Sequence, residues 1–257
     1  MKNGMLTNLL ASFNLSGWQF LTIAIVGLMI GMGKAGLSGI VMIAVPILAS
    51  VLGGKESTGL MTMIFVLGDI LAVQAYRRHA DWREIRPMLP AAISGIVIGS
   101  YVGALLNDRQ FKFMIAAMVL VCLILMVIQE LFGANFKVPH SLWFIIPVGL
   151  VSGFATMIGN AAGPIFAVYL LAIGLNKNTF LGTTAWFFLV INLIKLPLQI
   201  FTWHNISFQT FLIALSILPM IFIGMKVGVW LIRVMNERTF RYVIIAMTAI
   251  ATIRLFF

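Results

Sequence analysis

The sequence predicts an all-α integral membrane protein made of two inverted repeats, and three observations carry that prediction. First, apolar residues make up 61% of the 257-residue chain and charged residues only 9%, with a mean hydropathy of +1.08. Soluble domains carry roughly a quarter charged residues, and no soluble fold hides this much apolar surface. Second, the apolar runs have helical length and lack the alternating pattern of a membrane barrel. Third, the chain repeats itself. NDRQFKFMIAAM (107–118) matches NERTFRYVIIAM (236–247) at six of twelve positions, and VGLMIG (26–31) matches VGLVSG (148–153) at four of six. Asp69 then corresponds to Asn192, and Gly99 and Gly103 to Gly224 and Gly228.

The first repeat is expected over 1–131 and the second over 142–257, joined by a linker at 132–141 that contains the polar FGANFKVPH, all forming one transmembrane domain. The apolar segments fall at 18–33, 37–52, 58–76, 88–106 and 112–131, then at 142–158, 163–175, 180–200, 209–232 and 241–257. A helix crossing the hydrocarbon core needs about 20 residues. Segments 37–52 and 163–175 fall short of that, and both are entered through glycine-rich turns. Each repeat is therefore expected to hold a short broken helix pair, re-entrant or discontinuous, plus three transmembrane helices. The start, MKNGMLTNLLASFNLSGW, lacks a clear cleavage site, so the first span is expected to insert and stay.

Lys/Arg counting tests the orientation of the halves. If each short pair is a hairpin or two crossings, the loops at 77–87, 132–141, 175–179 and 233–241 share one face with nine Lys/Arg, against five on the other. Counting each pair as one crossing makes the halves parallel and the tally seven against seven. The bias favours inversion, with the basic face cytoplasmic. The net charge of +10 lies mainly in these loops, where it records orientation and contact with lipid headgroups; nucleic acid is not an expected partner. Trp18, Trp82, Trp143, Trp203 and Trp230 lie near span ends, as interfacial rings do. Trp186 lies inside its span, packing in the core or lining a cavity.

The chemistry points away from an enzyme. His79, His140 and His204 all fall in predicted loops, and no HExxH, P-loop or GxSxG is present. Cys122 has no disulfide partner, and neither a metal nor a cofactor is expected. The informative stretches are the two breaks, GMGKAGLSG (31–39) and TMIGNAAGP (156–164), at matching places in the halves. Interrupted helices in inverted repeats commonly meet at a transporter's substrate site. Gly33, Gly36, Gly159 and Gly163 let the chain turn and a ligand approach the backbone. Pro164 suits a first helical turn, and Ser38 or Asn160 is a candidate cap. Helix N-termini aimed inward would hold an anion. The alternative is that the glycines only allow close helix packing.

Three ionisable residues lie within apolar segments, where charge is costly unless paired, hydrated or functional. Lys34 sits in the first break, either meeting an anion or snorkelling from a surface turn. Lys195 is well inside its span, and Asp69 is the one acid deep in a membrane segment. Asp69 and Lys195 pairing would leave Lys34 free; otherwise Asp69 is a candidate proton carrier. Lys226 is near enough to a span end to snorkel.

The first break, together with GNAAGPIFAVYLLAIGLNKNTFLGTTA (159–185) and HADWREIRPMLPAAISGIVIGSYVGALL (79–106), resembles the TauE/SafE sulfite exporter family, also called the toluene-sulfonate uptake permease family. The resemblance covers nearly the whole chain and its duplication. It implies a multi-pass carrier in the bacterial inner (plasma) membrane for small anions such as sulfite, sulfonates and related organosulfur or carboxylate compounds, without enzyme activity or cofactor. Gly159, Gly163 and Pro164 match the family's second break, and Gly182, Thr183 and Thr184 its Gly-Thr-Ser-like segment. Two departures bear on the substrate: Ala161 and Ala162 stand where glycine is common, and no proline follows GKAG until Pro46.

The expected function is thus a secondary transporter, an exporter, of small anions by alternating access; an anion channel is the alternative. The expected substrate site draws on Gly33, Lys34, Gly36, Ser38, Gly159, Asn160, Gly163, Pro164, Thr183, Thr184 and Lys195, with Asp69 as proton carrier or ion-pair partner. The partners are a small anion and membrane lipid, with assembly into a homo-oligomer left open.

Overall fold

The computed structural model describes residues 15–132 and 141–234, which form α-helices and short turns with no strand among them. Turn chemistry sets the helix ends. Ser16 opens α1 (Gly17–Lys34) through a reciprocal capping box with Gln19. The chain then reverses through Gly36, at a φ of 119° that a side chain would strain. α2 (Ser38–Leu52) runs through Gly53 into α3 (Gly54–Tyr76). A 3-10 turn, Arg77–His79, leads to α4 (Trp82–Leu105), which Asp81 caps by accepting from the Arg83 N–H at 2.9 Å. α5 (Asp108–Phe132) completes the first half.

In the second half, α6 (Leu142–Gly159) stops at Asn160, and α7 (Gly163–Ala172) is a helix of only 10 residues. Asn176 caps α8 (Lys177–Phe201), accepting from the Thr179 N–H at 3.0 Å. α9 (Phe208–Ser216) and α10 (Leu218–Val234) follow, bent by 46° at their junction. Among the described residues, five helices (α1, α3, α4, α6 and α8) are long and apolar enough to cross a membrane, or six if the bent pair α9 and α10 is one span. Residues 133–140 of the linker and the expected segment 241–257, with its half of the duplicated motif, lie outside the described residues.

Two ends of the bundle can be told apart by their contacts. At one, Gly182 of α8 packs on the backbone of Tyr76, His79 and Ala80, and the Asp81 N–H donates to the Thr183 hydroxyl at 2.9 Å. At the other, the Gly54 N–H donates to Asp108 at 2.8 Å and Asn205 Nδ2 to the Lys55 carbonyl at 2.6 Å. α3 and α8 therefore run antiparallel. The most extensive packing pairs α4 with α6, α1 with α10 and α3 with α8, each a helix of one half against a helix of the other.

Small residues make two of these seams possible. A Cβ on Gly31 would strike the Ile221 carbonyl, and one on Gly224 the Leu28 carbonyl. The same contact recurs where Gly153 meets Ala92 and Gly95 meets Leu150. Gly95 and Gly99 thus occupy the places that match Gly224 and Gly228. This corrects the expected correspondence by one helical turn, and Gly103 packs instead on Trp203 and Phe111. Trp203 is also not an interfacial ring: it is buried, and its Nε1–H donates to the Ser100 carbonyl at 2.9 Å. Trp18, Trp143 and Trp230 are exposed, as are Leu21, Ile25, Val97 and Ile146. An outer surface this apolar suits hydrocarbon and not water.

Candidate anion site between the helix breaks

α1 ends on Lys34, and that termination carries the ammonium into the protein instead of out to solvent. Gly68 of α3 makes room for it: a Cβ there would sit 3.2 Å from Lys34 Cγ. Lys34 Nζ forms an ion pair with Asp69 Oδ1 and lies 4.6 Å from the ring centre of Phe65 and 5.1 Å from that of Phe188. Both rings are within the range at which an aromatic face attracts a cation. The other carboxylate oxygen, Asp69 Oδ2, accepts from Asn192 Nδ2 at 2.7 Å.

Asn192 links this pair to the second amine. Lys195 Nζ donates to Asn192 Oδ1 at 3.2 Å, to Asn160 Oδ1 at 2.6 Å and to the Thr156 carbonyl at 3.0 Å, with Thr156 Oγ1 at 3.3 Å. Asp69, Asn192 and Lys195 are completely buried. Burying a charge is costly unless it is paired and hydrogen-bonded; Asp69 is paired with Lys34, whereas Lys195 is hydrogen-bonded by neutral acceptors and has no carboxylate of its own. Asn160 also reaches α3: its Nδ2 donates to the Thr58 carbonyl and its Oδ1 accepts from the Thr62 hydroxyl, both at 3.4 Å.

Beside the cluster is a cavity of about 60 Å³. A water needs roughly 10–15 Å³ by this measure, so the space takes about four to six water-sized spheres. Gly33, Lys34 and Gly36 of the first break line it, as do Asn160 and Gly163 of the second. Asp69, Phe65, Thr156, Phe188 and Thr184 complete the polar and aromatic wall. The Thr184 hydroxyl oxygen is buried without a hydrogen-bond partner among the described residues.

Other expected site residues lie elsewhere. Lys195 stands behind the wall, bonded to Thr156 and Asn160, which line it. Thr183 turns away, its hydroxyl accepting from the Asp81 N–H. Gly159 faces Ile115 and Met118 of α5, and Pro164 is buried off the lining. The side chain of Ser38 lies outside the described residues, but Leu37 and not Ser38 holds the N-cap position of α2. Asn160 does not open α7. It closes α6 in a left-handed conformation at φ 52°, its N–H donating to the Thr156 carbonyl at 3.1 Å. Asp69 meets Lys34 directly and Lys195 only through Asn192. Trp186 lies against Trp82, with ring centres 5.3 Å apart, and does not line the cavity. Lys226 is exposed and lies over Phe222.

Phe65, Phe188 and Thr156 were not singled out from the sequence. The alignment that matches Asp69 with Asn192 also matches Phe65 with Phe188. A phenylalanine inside an apolar run carries no other signal. Among the described residues, no group of three or more His, Cys, Asp or Glu converges to hold a metal. No curated protein and no solved structure matches the chain. A family model does: Sulfite exporter TauE/SafE, over residues 23–255. The chain is a multi-pass membrane protein that belongs to the TauE/SafE sulfite exporter family, a family of transporters and not of enzymes.

Proposed function

We propose that this protein is a secondary transporter that exports sulfite, or a related small sulfonate or carboxylate, across the bacterial inner membrane. The observation that carries the reading is the position of Lys34. Its ammonium stands at the wall of an interior cavity where both helix breaks converge, next to the first residue of α7. A small anion there meets the ammonium, the unpartnered Thr184 hydroxyl and the N-terminal end of α7, whose dipole favours negative charge. The rings of Phe65 and Phe188 hold the lysine in place and exclude water from it.

The anion moves by alternating access between two inverted repeats, residues 1–131 and 142–257. The antiparallel course of α3 and α8 and the crosswise packing of the halves support that architecture. The cavity reaches Phe180 and Leu181, in the first turns of α8, at the end that carries Arg77 and Arg78. Toward the other end, Asn160 ties α6 to Thr58 and Thr62 of α3 and to Lys195 of α8. A cavity whose lining extends toward one end of the bundle and is clasped toward the other fits a carrier better than an open pore.

The test is sulfite flux into liposomes holding the purified protein. Wild type is expected to give saturable flux that is stimulated by sulfite on the opposite side. Lys34→Met is expected to lower it at least roughly tenfold, since the ammonium is the cation facing the cavity. Unchanged flux in the variant removes Lys34 from the site, and flux that neither saturates nor responds to opposite-side sulfite identifies a channel.

A further inference from the structure

The buried cluster contains two amines and one carboxylate, and its contacts bear on the net charge they carry together. Lys195 Nζ contacts three groups that only accept: the Thr156 carbonyl, Asn160 Oδ1 and Asn192 Oδ1. The amide orientations follow from the network, because Asn192 Nδ2 is committed to Asp69 and Asn160 Nδ2 to the Thr58 carbonyl. A neutral amine has two hydrogens, so three acceptors around one nitrogen favour the ammonium. Lys34 and Asp69 are in direct ion-pair contact, and an ammonium and a carboxylate together contribute no net charge. The sum is one uncompensated positive charge in the interior, and no other charged residue among the described ones lines the cavity.

That surplus comes from a difference between the halves. Asp69 on α3 and Asn192 on α8 hold matching positions and are hydrogen-bonded to each other at 2.7 Å. Two carboxylates would neutralise the cluster, and two amides would leave it doubly positive. One of each leaves a single charge.

We infer that the cavity is built for a singly charged oxyanion, and that the Asp69–Asn192 pair sets this selectivity. The inference rests on the reading of the cavity as an anion site. A monoanion brings the cluster to neutrality, whereas a dianion leaves an unpaired negative charge in a medium that solvates it poorly. Lys34 meets the ligand; Asp69 and Asn192 act by fixing how much charge the ligand must supply.

The test compares methanesulfonate with sulfate, two tetrahedral anions in which a methyl group replaces one charged oxygen. Calorimetry on the full chain in detergent, at one pH, measures both affinities. Wild type is expected to bind methanesulfonate at least tenfold more tightly than sulfate. Asp69→Asn is expected to shift that ratio at least tenfold toward sulfate, because the cluster gains a positive charge. Asn192→Asp is expected to weaken methanesulfonate at least tenfold, because the cluster is neutral before the ligand arrives. Equal affinities in wild type, or an unchanged ratio in Asp69→Asn, overturn the inference while leaving an oxyanion site in place. If Asp69→Asn does not fold, Asn192→Asp decides alone, and wild-type affinity for methanesulfonate in it is the overturning result. Binding of neither anion to wild type removes the anion site itself and the inference with it.

Discussion

Lys34, Asp69 and Lys195 draw attention in the sequence because a charge inside an apolar segment is expensive. The structure shows how that cost is met: through one ion pair, two asparagine amides and a helix-end carbonyl. Asn160 does two things in this arrangement. Its backbone adopts the left-handed conformation that ends α6, and its side chain holds the Lys195 ammonium at 2.6 Å. Asn160→Gly separates the two roles, since glycine adopts that conformation freely but brings no acceptor. Thermal unfolding in detergent should show the variant destabilised by about 1–3 kcal/mol, the cost of a buried donor left unsatisfied. A variant as stable as wild type would mean that the clasp contributes nothing. The identities of the charged residues were legible in the sequence, and so was the match of Asp69 with Asn192. Their pairing was not. Which amine meets Asp69 depends on how α1, α3 and α8 pack, and separation along the chain carries no record of that.

The elements were legible where length and glycine mark them and less so where capping decides. Runs of 15 residues in α2 and 10 in α7 are too short to cross a membrane as independent spans, and the glycine-rich turns before them are visible in the sequence. The role of Asn160 was open to misreading because asparagine suits both a helix start and a left-handed helix end. The glycines of the seams carry a separate prediction. In a helix interior, alanine is intrinsically better than glycine by about 1 kcal/mol. At Gly153, however, a Cβ collides with the Ala92 backbone, while at Gly17 it meets nothing within 4 Å. Gly153→Ala should therefore lower stability by about 1–3 kcal/mol through overpacking, and Gly17→Ala should not lower it. Equal behaviour of the two variants in thermal unfolding would contradict close approach of α4 and α6.

At the scale of the whole molecule, a membrane protein of five or six described spans follows from hydropathy alone. The proposed inversion follows from Lys/Arg counting and agrees with the antiparallel run of α3 and α8. What hydropathy does not encode is the empty space between the breaks, because a cavity is a property of several packed surfaces and of no single segment. A small oxyanion is proposed to occupy that space. Selenite is the selenium counterpart of sulfite and scatters anomalously, so diffraction at the selenium edge from crystals grown with selenite locates it directly. An anomalous peak is expected in the cavity, in contact with Lys34 Nζ and beside Thr184 and the start of α7. Selenium ordered only outside the cavity, with that space empty, would contradict it.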